Sequence, residues 1–237
     1  MVRTIKAAAL CALCMALCGC AKASAPTSAQ PELTVAPRTL QAQMLEEYAD
    51  AYARNSDLAG WVRIEDTRID YPVMYTPQEP EKYLRLAFNG RYDFLGVPFM
   101  DAACAPGDGT RGYFIYGHNT YDGTMFGSLK EYLDEDYRAA HPLIEFDTLY
   151  ARGLYEVFAV FLSQVYGPDD DVFKYYQYAC LCDEDTFERY VENVRKLSVF
   201  DSALQPRWGD TLLTLSTCSH HVENGRLAVV AVKIEDR

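Results

Sequence analysis

No run of basic residues occurs anywhere in the chain, and that absence excludes one large class of function. The 237 residues carry 22 Lys and Arg against 34 Asp and Glu, a formal net charge of −12. Nucleic-acid binding needs clustered cations to displace counterions from phosphate, so no nucleic-acid partner is expected. A comfortable transmembrane span is also missing. The amino-terminal apolar run extends only from Ala7 to Cys18, short of the roughly 20 residues that cross a bilayer. There is no internal repeat, and no second linker interrupts the chain beyond Arg38, so a single domain is expected. Cysteine is concentrated where it cannot staple a fold: of eight, Cys11, Cys14, Cys18 and Cys20 crowd into the amino terminus. A disulfide scaffold is therefore excluded. What is present is a globular composition, 49% hydrophobic, 24% charged and 13% aromatic, rich enough in apolar residues to bury a core.

Residues 1–19 read as a secretory signal, with Arg3 and Lys6 ahead of the apolar run. Leu17-Cys18-Gly19-Cys20 resembles the lipobox of bacterial lipoproteins. That resemblance implies cleavage before Cys20 and lipid attachment to it, several acyl chains being what stable anchoring requires. The alternatives are ordinary cleavage after Ala23, which releases a soluble protein, and an uncleaved signal that serves as anchor. Loss of residues 1–19 removes Arg3 and Lys6 but no acid, taking the net charge from −12 to −14. Residues 20–38, mostly Ala, Ser, Pro and Thr after the cysteine, form a flexible tether, and residues 39–237 form the domain.

Within the domain, Leu40, Met44, Tyr48 and Tyr52 recur every four residues. The spacing predicts an amphipathic helix over Leu40–Arg54, with Thr39 as its N-cap. Alternation and β-branched or aromatic enrichment predict two strands in Gly60–Met74, turning near Glu65-Asp66. Further strands are predicted at Gly96–Asp101, Gly112–Gly117, Leu143–Thr148, Leu154–Val165, Asp210–Thr217 and Arg226–Ile234. Helical periodicity returns at Thr124–Leu133 and at Asp183–Ser198, where Asp183 or Asp185 caps the start. The domain is thus mostly β, about eight strands with helices in the connections, which suggests one barrel or sandwich.

The chemistry gathers at strand ends. The strand after Asp210 ends in Cys218, and after the loop Ser219–Gly225 the next strand opens with Arg226. Antiparallel pairing would place thiol and guanidinium on one rim. A neighbouring base or cation favours a reactive thiolate, and a forked guanidinium can hold the oxyanion formed when that thiolate attacks a carbonyl. A proton shuttle remains to be supplied. His118 ends an apolar strand in Tyr116-Gly117-His118-Asn119; His220 and His221 lie beside the thiol and could serve instead or bind a metal; His141 reads as a surface residue.

Tyr116-Gly117-His118, Leu215-Ser216-Thr217-Cys218 and Arg226 in a Val-rich strand resemble, in that order, the signature of the sortases, cysteine transpeptidases of Gram-positive surfaces. The likeness is to the class B branch and extends to Gly60-Trp61-Val62-Arg63-Ile64, Ile69-Asp70-Tyr71-Pro72-Val73, Phe99-Met100-Asp101 and Asp122-Gly123-Thr124-Met125-Phe126. The resemblance implies a single closed β-barrel with an amino-terminal helix and a long helix inserted before the last strands. It implies that Cys218 attacks the Thr carbonyl of a carboxy-terminal sorting motif, of Asn-Pro-X-Thr kind, in a secreted protein. Arg226 would stabilise the oxyanion, and His118 would protonate the leaving amine and deprotonate the incoming one. Tyr116, Ser216 and Thr217 would line the substrate groove. The acceptor would be an amine on a peptidoglycan precursor of lipid II type. No cofactor and no metal are implied, and the enzyme is expected as a monomer on the extracytoplasmic face of the membrane. Class B members usually keep an uncleaved amino-terminal helix, so the lipobox-like Cys20 is a departure in the anchor alone.

Competing readings stay modest. Cys180-Leu181-Cys182 with His220 and His221 could ligate zinc, but the spacing is shorter than a metal knuckle and no second pair exists. Cys104, Cys180 and Cys182 read as unpaired packing residues ahead of a Cys104–Cys180 or Cys104–Cys182 disulfide. Asp169–Asp171 and Asp183–Asp185 lack calcium-loop spacing and read as turn and cap residues. The alternatives to a transpeptidase are a cysteine peptidase that only hydrolyses, and a catalytically silent surface lipoprotein that binds peptide or wall components.

Overall fold

Alternating burial along short β-branched and aromatic runs builds the molecule. The structure, a computed structural model, describes residues 43–235 apart from 105 and 108. The signal, the tether, Thr39 and Cys20 lie outside the described residues. Eight strands follow in chain order: β1 (Leu58–Arg63), β2 (Asp70–Met74), β3 (Phe99–Met100), β4 (Gly112–Tyr116), β5 (Leu143–Thr148), β6 (Leu154–Gln164), β7 (Leu212–Cys218) and β8 (Gly225–Glu235). They close into a barrel in the spatial order β1-β2-β3-β4-β7-β8-β6-β5, β5 returning to β1 with Val62 opposite Phe146. Closure leaves no free sheet edge, and a barrel this small fills its interior with side chains. Val62, Phe114, Ile115, Phe161, Leu215 and Val229 are wholly buried in that core. Gly60 sits at a bulge in β1, where a Cβ would overlap the Asp147 carbonyl of β5.

Most neighbours are antiparallel. The consequential exception is β4 beside β7, parallel from Gly112 opposite Leu212 to Tyr116 opposite Ser216. A parallel pair needs a long crossover, and here the crossover contains β5, β6 and the main helix. That helix, α3 (Glu184–Leu197), lies as its sequence predicts. Asp183 caps it by accepting from the Thr186 amide at 2.8 Å. Phe187, Tyr190, Val191 and Val194 form its buried stripe, one face at three- and four-residue spacing.

The other helices depart from the sequence reading. Helix α1 (Glu46–Arg54) starts at Glu46, not Leu40. Leu45 is extended, and its amide donates to the Leu149 carbonyl at 2.8 Å, so Met44 and Leu45 pack against the small core cluster instead of starting the helix. The stretch predicted helical over Thr124–Leu133 is a 3-10 helix at Gly127–Leu133, followed by α2 (Glu135–Ala140), which Asp134 caps. Met125 explains the late start: its φ is +49° and its amide donates to the Tyr71 hydroxyl at 3.0 Å. β3 shrinks to two residues of the predicted Gly96–Asp101.

Cysteine pairing also corrects the sequence reading. Cys180 and Cys182 are joined in a disulfide, their Cα atoms 5.1 Å apart, which removes both thiolates from any zinc site. Cys104 remains free and buried. Its sulfur accepts from the Phe114 amide at 3.3 Å, and burial pushes its thiol up to about 12, which makes it an inert packing residue. Asp170 and Asp183 behave as turn and cap: Asp170 accepts from the Gly167 amide and Asp183 from that of Thr186.

Candidate active site

β7 is buried along its length until its last residue, the half-exposed Cys218. In the antiparallel β7–β8 pair, Cys218 stands directly opposite Arg226. Thiol and guanidinium therefore share one rim of the barrel, as the short Ser219–Gly225 connection predicts. His118 reaches the same rim through the parallel neighbour. Tyr116 pairs with Ser216, and the Gly117 amide donates to the Ser216 carbonyl at 3.1 Å, so the next residue of β4's exit arrives beside the end of β7. Gly117 is needed there for close approach: a Cβ would lie 2.6 Å from the Phe126 ring.

Cys218, His118 and Arg226 line one cleft of about 390 Å³ together with Tyr116, Ser216 and Thr217. The six residues singled out in the domain are thus brought together; the seventh, Cys20, is outside the described residues. The histidine alternatives are not in the cleft wall. His220 and His221 are exposed on the β7–β8 loop, His221 Nδ1 lying 2.9 Å from the Ser219 hydroxyl. His141 is half-buried and stacked on Tyr137 rather than a free surface residue.

Several of the cleft side chains have a defined hydrogen-bond partner. His118 Nε2 lies 3.0 Å from the Leu84 carbonyl; a carbonyl only accepts, so Nε2 carries a proton and Nδ1 is left for chemistry. Leu84 ends a short 3-10 turn, Lys82–Leu84, which Asp57 anchors by accepting from Lys82 Nζ at 2.7 Å and the Tyr83 hydroxyl at 2.9 Å. Arg226 Nη1 donates to the Gly225 carbonyl at 3.0 Å and to the Asn224 carbonyl at 3.4 Å, contacts that do not use Nε or Nη2. The Tyr116 hydroxyl donates to Asp101 Oδ2 at 2.8 Å. Burial, with the Asp101 carboxylate beside it, holds that phenol well above its ordinary range. Thr217 Oγ1 donates to the Gly117 carbonyl at 2.7 Å, so its proton joins strands rather than facing substrate.

The site contains residues that sequence reasoning did not single out. Tyr175, on the 3-10 turn Tyr175–Tyr178 between β6 and α3, bonds the Ser216 hydroxyl at 2.7 Å. Burial pushes its phenol up to about 12, against the lowering effects of Ser216 and Arg226. Leu84, Asp101 and Tyr176 also line the cleft. Among 18 tyrosines no local pattern distinguishes Tyr175, and a main-chain acceptor such as Leu84 leaves no residue-type signal.

A nucleophile, a histidine with one free ring nitrogen and an unconditionally charged guanidinium on one rim can perform acyl transfer through a thioester. Comparison with known proteins agrees. The family model described as Sortase domain matches residues 62–234. The chain is 31% identical over 196 residues to Sortase B of Listeria monocytogenes, covering 82% of this chain and 76% of that protein. Among solved structures it resembles the Staphylococcus aureus sortase B–substrate complex, with TM-score 0.70 and 26% identity over 82% of this chain and 88% of that one. It also resembles sortase B from B. anthracis in complex with AAEK2, with TM-score 0.71 and 27% identity over 83% and 86% of the two chains. The chain therefore belongs to the sortase family, in its class B branch of cysteine transpeptidases.

Proposed function

We propose that Cys218 cleaves an Asn-Pro-X-Thr-like sorting motif near the carboxy terminus of secreted proteins and that the enzyme passes the acyl group to an amine of a peptidoglycan precursor. The observation that carries this is the register Cys218 opposite Arg226, with His118 lining the same cleft. The Cys218 thiol passes its proton to His118 Nδ1, its sulfur attacks the Thr carbonyl carbon, and the carbonyl electrons move onto oxygen, where Arg226 compensates the charge. As the tetrahedral intermediate collapses, the scissile C–N bond breaks and His118 Nδ1 delivers a proton to the departing amine, leaving a thioester on Cys218. The acceptor amine then attacks that carbonyl, gives its proton to His118 and displaces the sulfur. Tyr116, Ser216 and Thr217 form the groove wall, with the Ser216 hydroxyl held by Tyr175. The carboxy-terminal fragment leaves before the amine arrives, so one imidazole serves both half-reactions.

The test is incubation of the purified domain with Asn-Pro-X-Thr peptides and an amine acceptor, followed by mass spectrometry. A ligated product and a thioester adduct on Cys218 are expected, and Cys218→Ala should give neither. Hydrolysed peptide alone, at every acceptor concentration, would indicate a peptidase instead. His220→Ala stopping turnover while His118→Ala spares it would overturn the assignment of the base. The proposed setting is the extracytoplasmic face of the membrane, as a monomer held by lipid on Cys20 or by the uncleaved signal, with residues 20–38 as the tether.

A further inference from the structure

The two strands that bear His118 and Cys218 stop pairing through their backbones just before those residues. β4 and β7 run parallel through Tyr116 and Ser216, and the last backbone rung is the Gly117 amide on the Ser216 carbonyl. Parallel ladders repeat every two residues. Continued in register, the Cys218 amide would meet the Gly117 carbonyl, and the Asn119 amide would meet the Cys218 carbonyl. The chain instead turns away after Gly117 into a loop closed by the Phe126 amide on the His118 carbonyl and by a bridge between Asn119 and Met125.

Two side chains make the next links in place of those backbone groups. Thr217 Oγ1 donates to the Gly117 carbonyl at 2.7 Å, and Asn119 Nδ2 donates to the Cys218 carbonyl at 2.8 Å. The carboxamide of Asn119 thus takes the place its own backbone N–H would have held. His118 lies between Gly117 and Asn119, both pinned to β7, one on each side of it. Ring orientation is set separately by the Leu84 carbonyl. The strands can part here to open the cleft while the separation of the His118 and Cys218 backbones stays fixed.

We propose that Asn119 is a positioning residue: its carboxamide clamps the Cys218 carbonyl and so sets the distance between the imidazole and the thiol across the opened end of the β4–β7 ladder. It does not touch the reacting atoms. This rests on the catalytic reading of His118 and Cys218, so the test includes a measurement that needs no sorting substrate.

Asn119→Ala, Asn119→Gln, His118→Ala and the double variant Asn119→Ala/His118→Ala are compared in the full domain. Alkylation of Cys218 by iodoacetamide is followed by peptide mass, and turnover is measured with whichever sorting peptide the wild type ligates. Asn119→Ala should slow Cys218 alkylation and lower kcat by about tenfold, with KM within about twofold, the signature of misplaced groups rather than lost binding. In the His118→Ala background the same change should have little further effect on alkylation, because the clamp acts through the imidazole. Asn119→Gln, which keeps the donor on a longer arm, should recover part of the loss. A rise in KM with kcat unchanged would make Asn119 a binding residue and overturn the proposal. So would full activity of Asn119→Ala, or equal and additive losses with and without His118. If the wild type ligates no peptide, the transpeptidase reading fails, while the alkylation series still decides whether Asn119 couples His118 to Cys218.

Discussion

At the scale of single residues, the barrel end combines groups with different tolerances. Arg226 Nη1 is held by the Gly225 and Asn224 carbonyls, and in the proposed reading the rest of its planar fork serves the oxyanion. A lysine retains the charge but not the fork. Arg226→Lys is therefore expected to slow thioester formation about 100-fold or more, the loss typical of a missing oxyanion donor, in single-turnover assays with sorting peptide. The fold should be unaffected because Arg226 is half-exposed at a strand start. Tyr175 is the opposite case. Its hydroxyl satisfies the buried Ser216, and Tyr175→Phe leaves that hydroxyl without its partner at a cost of about 1–3 kcal/mol. Chemical denaturation should show the loss. Cys218 and Arg226 stand out in the sequence because each lies at the end or start of an apolar strand, whereas strand position alone left His118 level with His220 and His221 and the sortase resemblance singled it out. Tyr175 does not stand out, since a tyrosine that positions a serine and a tyrosine that merely packs look alike until Ser216 is seen beside it.

At the scale of elements, α3 was readable because two independent signals coincide: the apolar stripe from Phe187 to Val194 and the cap at Asp183. The cap has a pH signature. Hydrogen bonds from the Thr186 amide and hydroxyl hold the Asp183 carboxyl below its ordinary range. A carboxyl lowered in the folded state contributes stability above its unfolded pKa of about 3.9 and loses that contribution as pH falls through the folded value. Asp183→Ala should lower the thermal midpoint by about 2–4 °C at neutral pH, and the gap to wild type should close as pH drops below about 4. Scanning calorimetry across pH checks both statements. Where the periodic pattern misled, a tertiary bond had intervened. Leu45 gives its amide to Leu149, just past the end of β5, and Met125 gives its amide to Tyr71; neither partner is visible within a short window of sequence.

At the scale of the whole molecule, closure of the barrel and attachment of the domain are separate matters. Among the described residues no helix is long and apolar enough to cross a membrane. In the proposed reading, anchoring rests on the amino-terminal residues. Cys20→Ser should move the protein from the membrane to the soluble fraction and abolish incorporation of labelled fatty acid, with Cys218 reactivity unchanged. Retention at the membrane without label would indicate an uncleaved signal instead. The chain's net charge of −12, −14 without residues 1–19, gives no electrostatic attraction to an anionic bilayer, which fits the proposed lipid or apolar anchor.

The sequence by itself determined the strand spacing, the capped helix before the last strands, and the chemical identities at the rim. These follow from patterns read over a few residues: alternation, a cap followed by a stripe, and a short loop that sets Cys218 against Arg226. Tertiary structure is what brings His118, rather than His220, to the cleft wall. His118 reaches the cleft because β4 lies parallel to β7, an arrangement that links Asn119 to Cys218 across 99 residues of chain, whereas His220 is two residues from the thiol and stays outside. Local sequence sets which face of a strand is apolar, but not which strand becomes its neighbour. That choice is made by closing the barrel around one shared core, and the same closure brought Tyr175, Leu84 and the Asn119 carboxamide to the site.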